Sequence, residues 1–175
     1  MQGKVQQGGP LAEPGVHPAR LQRIEAYQAT KYQSTETEPV LFITWDLGPD
    51  EDGRDRTLRD SFIRIPLTWD CYPALNDKSR LYNRLSAVYG ARFEVDKVQW
   101  TLELPEPYNS PAGLEELPHW DARSAEGFEP VEVVSVTVDG EELIGRSAYI
   151  EVARKGEYLR IAGCNPMPKS ADLPF

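Results

Sequence analysis

Residues 145–175 read GRSAYIEVARKGEYLRIAGCNPMPKSADLPF, and the fold is decided in this stretch. Residues 147–154 carry Tyr149, Ile150 and Val152, Lys155-Gly156 reverses the chain, and residues 158–162 are apolar again. The pattern is two strands around a tight turn. Each strand carries a tyrosine, Tyr149 and Tyr158, and Arg154, Lys155 and Arg160 fall within seven positions. Cations for phosphates and flat rings for bases are what a surface for single-stranded nucleic acid requires.

Working back from this hairpin, residues 15–27 (GVHPARLQRIEAY) read as a strand with an irregular middle. There Ala19 and Leu21 share a side with Ile24 and Ala26 only after a slip. Residues 40–47 (VLFITWDL) are a strong β-run of branched and aromatic side chains. Residues 48–55 (GPDEDGRD) form a turn, and residues 57–67 return as a strand with Leu58, Phe62 or Ile63, and Ile65 in the core. A helix follows, capped at Asn76-Asp77, with Leu81, Leu85 and Val88 at helical spacing and Gly90 as its stop. VDKVQWTLEL and VEVVSVTVDG then predict two strands flanking a proline-rich loop. Three strands, a helix, an insert and two more strands is the order of an OB-like Greek-key β-barrel. The expected fold is therefore mainly β, with one helix between the third and fourth core strands and a β-containing acidic insert. Residues 1–14 read as a flexible arm, 15–168 as one OB-like domain with the insert at 91–145, and 169–175 as a C-terminal tip.

Composition narrows the function classes. At 175 residues and 40% hydrophobic, the chain is sized for one domain with a substantial core. No apolar run approaches the roughly 18 residues of a membrane span, and MQGKVQQGGPLAEPG lacks the core of a secretory signal, so a cytosolic protein is expected. Cys71 and Cys164 then read as reduced thiols. With His17 and His119 they offer no metal-ligand spacing, and no metal or cofactor is expected. The net charge of −9 is concentrated: residues 91–145 hold 13 acids against 3 bases, while the rest holds 15 against 16. A local basic patch therefore remains able to bind phosphate.

Candidate contacts to nucleic acid lie in three groups. Tyr27, Lys31 and Tyr32 sit where the first loop of such a barrel falls. Arg54, Arg56, Arg59 and Arg64 form the densest basic cluster, either as phosphate contacts or as a solvated hairpin paired with Asp52, Asp55 and Asp60. Tyr149, Arg154, Lys155, Tyr158 and Arg160 are the third group, and one of Phe42 and Trp45 is a further candidate for stacking. The acidic run at 50–55 fails as a calcium loop, because an EF-hand register through Gly53 begins at Gly48 and ends at Arg59. No Walker loop or GxSxG is present, and His119 beside Asp121 has no nearby nucleophile, so binding without catalysis is expected.

Four of these stretches together resemble single-stranded DNA-binding proteins of bacteriophages and mobile elements. They are GVHPARLQRIEAY, PVLFITWDL, KSRLYNRLSAVYG (with Lys78, Ser79, Arg80 and Leu81 in order) and LIGRSAYIEVARKGEYLRIAGCNPMPK. The resemblance implies sequence-tolerant binding of single-stranded DNA in replication or recombination, within a bacterial host cytosol. Asp172-Leu173-Pro174-Phe175 is similar to the tip of bacterial single-stranded DNA-binding proteins, implying an exposed Phe175 and a carboxylate as anchors for a replication or recombination protein. A competing expectation comes from the acids of 91–145: a protein-interaction module or inhibitor that mimics DNA and docks on a basic partner.

Overall fold

Branched and aromatic side chains run almost unbroken through residues 40–47, residues 15–27 carry an alternating apolar pattern with one slip, and each segment becomes a long strand. In the computed structural model, which describes residues 12–124, 127–168 and 173–175, the chain begins with β1 (Gly15–Thr30), β2 (Thr37–Pro49) and β3 (Asp55–Arg64). Helix α1 (Arg80–Tyr89) follows, then β4 (Trp100–Glu103), the short helix α2 (Pro111–Glu115) and a 3-10 turn, Trp120–Ser124. The chain continues through β5 (Val131–Glu132), β6 (Ser135–Val138) and β7 (Glu141–Glu142) to β8 (Ser147–Lys155) and β9 (Tyr158–Asn165). The protein is mainly β, and all its paired strands are antiparallel. Residues 1–11 of the expected arm, and Asp172 of the tip, lie outside the described residues.

The main sheet has the order β3-β2-β1-β8-β9, with β5 also paired to β1. β1 is its hinge: one edge pairs with β2 from Arg20↔Asp46 to Thr30↔Thr37, and the other is shared by β8 (15–20) and β5 (25–26). The register shifts between Leu21 and Arg23, the position of the slip in the apolar pattern. The final hairpin turns at Gly156-Glu157, one residue later than the sequence predicts, because Lys155 pairs with Tyr158. Gly156 has φ +62, a positive angle that a two-residue hairpin needs and that glycine adopts without strain.

A second bulge decides the ambiguous pair in β3. Leu41 faces Ile63 and Ile43 faces Asp60, so Ser61 and Phe62 share the space opposite one β2 residue. Ile63 is buried, while Phe62 is turned outward at φ +55, a left-handed conformation rare for an aromatic residue.

Inside the curved sheet lie Leu21, Ile24, Ala26, Leu41, Ile43, Trp45, Ile63, Ala148, Ile150 and Ile161, closed at one side by Leu81, Leu85 and Val88 of α1. Ser79 caps α1 by accepting from the Tyr82 amide (3.1 Å), and Gly90 ends it. The cap thus lies two residues after the expected Asn76-Asp77, whose Asn76 instead shapes the approach by accepting from Lys78 N. The acidic insert does form strands: β4, β6 and β7 make a small sheet. Its Leu104, Leu114, Val131, Val136 and Leu143 belong to the same apolar cluster as the main sheet.

The main sheet does not close on itself, since β3 and β9 end its order without a ladder between them. Arg84 spans that seam. Its Nε donates to Asp60 Oδ2 of β3 (2.6 Å) and its Nη2 donates to Asp60 Oδ1 (3.3 Å) and to the Ile161 carbonyl of β9 (3.0 Å). Both side chains are buried. Burial disfavours the Arg84 charge, but the Asp60 carboxylate outweighs it, so the guanidinium pKa lies above its ordinary value. Removing one partner strands a buried charge, at a cost of about 3–5 kcal/mol. Asp60→Asn should therefore lower the denaturant midpoint sharply, and the double variant Asp60→Leu with Arg84→Met should lose less than either single change. A double-variant loss in urea melts equal to the sum of the two single losses would show that the pair is not coupled.

Candidate nucleic-acid interface

The β3 side of the molecule gathers cations from three separate parts of the chain. A groove of about 510 Å³ is lined by Lys31 from the β1–β2 loop, Phe62 and Arg64 from β3, Leu67, and Arg80 from the start of α1. A second, of about 470 Å³, follows the β3/β9 seam and is lined by Arg59, Asp60, Ser61, Arg80, Arg84 and Arg160. Arg80 lines both, so the two grooves adjoin at this side chain. Of the exposed aromatics, Phe62 (46% exposed) lines the first groove, Tyr32 (90%) follows its lining residue Lys31 in the chain, and Tyr158 (77%) precedes Leu159 and Arg160 of the second.

Most of these cations already hold a carboxylate. Arg64 pairs with Glu38, Lys31 with Glu36 (3.3 Å), Arg59 with Glu25 (3.7 Å) and Arg80 with Asp60 (2.9 Å). Pairs open to water are worth about 0–1 kcal/mol, so Lys31 and Arg64 can exchange a carboxylate for a phosphate at little cost. Arg80 is half exposed but its partner Asp60 is buried, so it would keep that contact while presenting its free edge. Arg84 cannot, being buried and committed to the seam. On the hairpin, Arg154, Lys155 and Arg160 are exposed and form no ion pair with another described residue.

Several predicted contacts are placed elsewhere. Tyr27 is fully buried: its ring meets Phe42, Trp120 and Phe128, and its hydroxyl donates to Glu25 Oε1 (3.0 Å). It is a packing residue, because strand alternation puts it on a sheet face that the insert covers. Phe42 and Trp45 are likewise both buried, so neither is open for stacking. Trp45 fills the sheet interior, while Phe42 is stacked under Trp120 at 4.2 Å. Arg59 lies over those same two rings.

Arg54 and Arg56 are structural. Arg54 holds the β2–β3 turn through Asp50, whose Oδ1 accepts from Arg54 N (2.8 Å) and Asp52 N (2.9 Å). The Arg54 amide is the main reason that the Asp50 carboxyl titrates below its usual range. The Arg56 guanidinium donates to the Leu47 and Gly48 carbonyls. Arg54 immediately precedes β3 and Arg56 lies at its start, while Arg64 ends it, roughly 25 Å from Arg56 at the rise of a strand. The basic cluster therefore splits: Arg59 and Arg64 reach the grooves, and Arg54 and Arg56 do not. Tyr149 is half-buried within β8, opposite Pro18 and Asn165.

The tip is also engaged. Phe175 is half-buried, not an exposed end: its ring lies so close to Gly48 that a Cβ there would collide with it, and the Arg20 guanidinium sits 5.6 Å from its centroid. Leu173 lies in the same hollow, and Pro174 is exposed.

Sequence reasoning missed Arg80 and Arg84 as site-forming residues, although their i, i+4 spacing on a helix was available. It also missed the outward turn of Phe62, which depends on a bulge with no residue signature. No protein-family model, no curated protein and no solved structure matches this chain. The grooves themselves therefore carry the functional argument.

The two cysteines provide a check on this placement. Cys164 is buried against Arg84, and burial pushes its thiol up to about 12, whereas Cys71 is exposed. A thiol reagent at neutral pH should modify one cysteine in the folded protein and the second only after denaturation. Two rapid equivalents in native buffer would contradict the buried seam. A second check is Tyr27→Ala, which should cost about 3–5 kcal/mol as an aromatic core truncation, while Tyr32→Ala should leave stability nearly unchanged.

Proposed function

We propose that this chain binds single-stranded DNA with little base preference and performs no chemistry on it. The observation that carries the proposal is the shared Arg80, at which two cationic grooves meet, one lined by Phe62, with exposed Tyr32 and Tyr158 next in the chain to lining segments; the proposal takes them as one track. A tracking groove of cations with rings on its margins is the arrangement by which proteins hold unpaired strands. The strand order, with α1 between β3 and β8, supports reading the sheet as an OB-like Greek-key barrel parted at its β3/β9 seam. On that reading Lys31 and Tyr32 belong to one binding loop, and Arg154, Lys155 and Tyr158 to the other. The resemblance to single-stranded DNA-binding proteins of bacteriophages and mobile elements supports a role in replication or recombination. Docking of a replication protein on Leu173–Phe175 would first require Phe175 to leave Gly48.

One observation favours the second reading, an acidic module docking on a basic partner. Every described Asp and Glu within 91–145 is exposed. The two readings diverge in a simple titration. Labelled oligo(dT) should bind more tightly than a duplex of equal length, with log K falling linearly as log salt rises, by about 0.7 per phosphate contact. Arg160→Ala should weaken binding and flatten that slope by about one contact. No change in anisotropy at low salt would overturn the proposal and leave the acidic module as the better reading.

A further inference from the structure

Trp69 is the most exposed large apolar side chain of the described residues, at 94%, and it does not stand alone. Tyr72 is 53% exposed and Leu67 39%, and both lie on the same small hairpin between β3 and α1. This hairpin is held rigidly. Leu67 bridges Pro73, Thr68 N donates to the Tyr72 carbonyl (2.8 Å) and Cys71 N donates to the Thr68 carbonyl (2.9 Å). Thr68 Oγ1 accepts from Tyr72 N (3.0 Å) and donates to Asp70 Oδ1, and Ala74 N donates to the Pro66 carbonyl (2.7 Å). Cys71 takes φ +67, a strained angle for a cysteine that this network sustains. A chain that spends this many hydrogen bonds on a loop has ordered its tip before any ligand arrives. The indole at that tip is solvated and packs on no described aromatic ring.

The base of this hairpin is continuous with the cationic track. Pro66 and Leu67 form a wall of the first groove, together with Lys31, Phe62, Arg64 and Arg80. Tyr32, 90% exposed, follows Lys31 in the chain, and Trp69 stands two residues beyond Leu67. Resting on the single-stranded DNA reading above, we propose that Trp69 is a pre-ordered stacking platform for an unpaired base of a strand whose phosphates lie along Lys31, Arg64 and Arg80. Stacking suits this residue because every base has a flat face, and because a rigid loop loses little conformational freedom on binding. The neighbouring Asp70 carboxylate repels phosphate, but it accepts from Thr68 and thereby serves the loop. An apolar pocket on a protein partner is the competing occupant for an exposed indole.

The test uses the full chain, labelled oligo(dT) and three proteins: wild type, Trp69→Ala and Trp69→Phe. Because the side chain is solvated, both variants should melt with the wild type, and circular dichroism verifies this. Trp69→Ala should bind oligo(dT) about tenfold more weakly, the lower part of the range for loss of one stacked base. Trp69→Phe should recover a large part of that loss. Oligo(dT) should quench wild-type tryptophan emission, and most of that quenching should vanish in Trp69→Phe, since Trp45 is buried and the half-buried Trp100 and Trp120 line neither groove. If wild type does not bind oligo(dT), the single-stranded DNA reading falls and this inference falls with it. If wild type binds, but Trp69→Ala binds equally well and Trp69→Phe is quenched like wild type, only the role of Trp69 is overturned. The hairpin would then be assigned to a protein partner.

Discussion

The buried contact between Asp60 and Arg84 is the constraint on which the rest of the arrangement depends. A sheet that curls until its first and last strands face each other must either complete a hydrogen-bonded ladder or satisfy those edges in another way. Here a helical side chain does it: Arg84 takes both oxygens of a β3 carboxylate and one β9 carbonyl, and Arg80 adds a further donor to Asp60. With Trp45 Nε1 at 3.5 Å, the carboxylate uses close to its full capacity as an acceptor. The seam is therefore held from one side by α1 and stays open on the other. That opening is the second groove. Its floor is an ion pair with no charge to spare, and its rims are Arg59, Arg80 and Arg160. A continued ladder would have sealed this space.

The insert explains why the proposed track runs along the seam and not across the outer face of the sheet. On β1, β2 and β3 that face carries Tyr27, Phe42, Arg59 and Phe62, an aromatic and cationic set of the type that unpaired bases stack on. Trp120 is already stacked on Phe42, with its plane 26° from parallel, and Phe128 lies nearly parallel to Tyr27. The chain thus occupies with its own rings the surface that a base would need. What remains accessible is the margin: Phe62, half turned out by its bulge, and the loops beyond it. The accessible rings thus lie at an edge of the sheet and not on its face.

The sequence was most informative where side-chain alternation governs structure. The three-stranded meander, the slip near Leu21, the helix through Leu81, Leu85 and Val88, and the closing hairpin are all legible, because each buries a regular apolar stripe. It was least informative where one residue's direction depends on a distant segment. The burial of Tyr27 follows from Trp120 arriving nearly a hundred residues later, and local composition around Tyr27 carries no trace of that. The four arginines of 54–64 look alike in sequence, yet they separate according to the carbonyls and carboxylates within reach. Trp69 shows the opposite failure. Tryptophan usually adds to a core, and only the hydrogen bonds around Thr68 reveal that this one is held outward.

The acidity of the chain bears on how such a track would operate. A net charge of −9 repels a polyanion at long range, yet the track presents Lys31, Arg64, Arg80 and Arg160 at contact. The two effects respond differently to salt. Long-range repulsion from the solvated carboxylates of 91–145 is screened beyond about 10 Å at 0.1 M salt, whereas a phosphate touching an arginine lies well inside that distance. Added salt therefore relieves the repulsion that slows encounter while it competes, throughout the range, with the contacts that hold the strand. Association rate and residence time should consequently move in opposite directions over the lower part of the salt range. A uniformly basic protein would show both falling together, so the distinction belongs to this segregation of charge and not to single-strand binding in general.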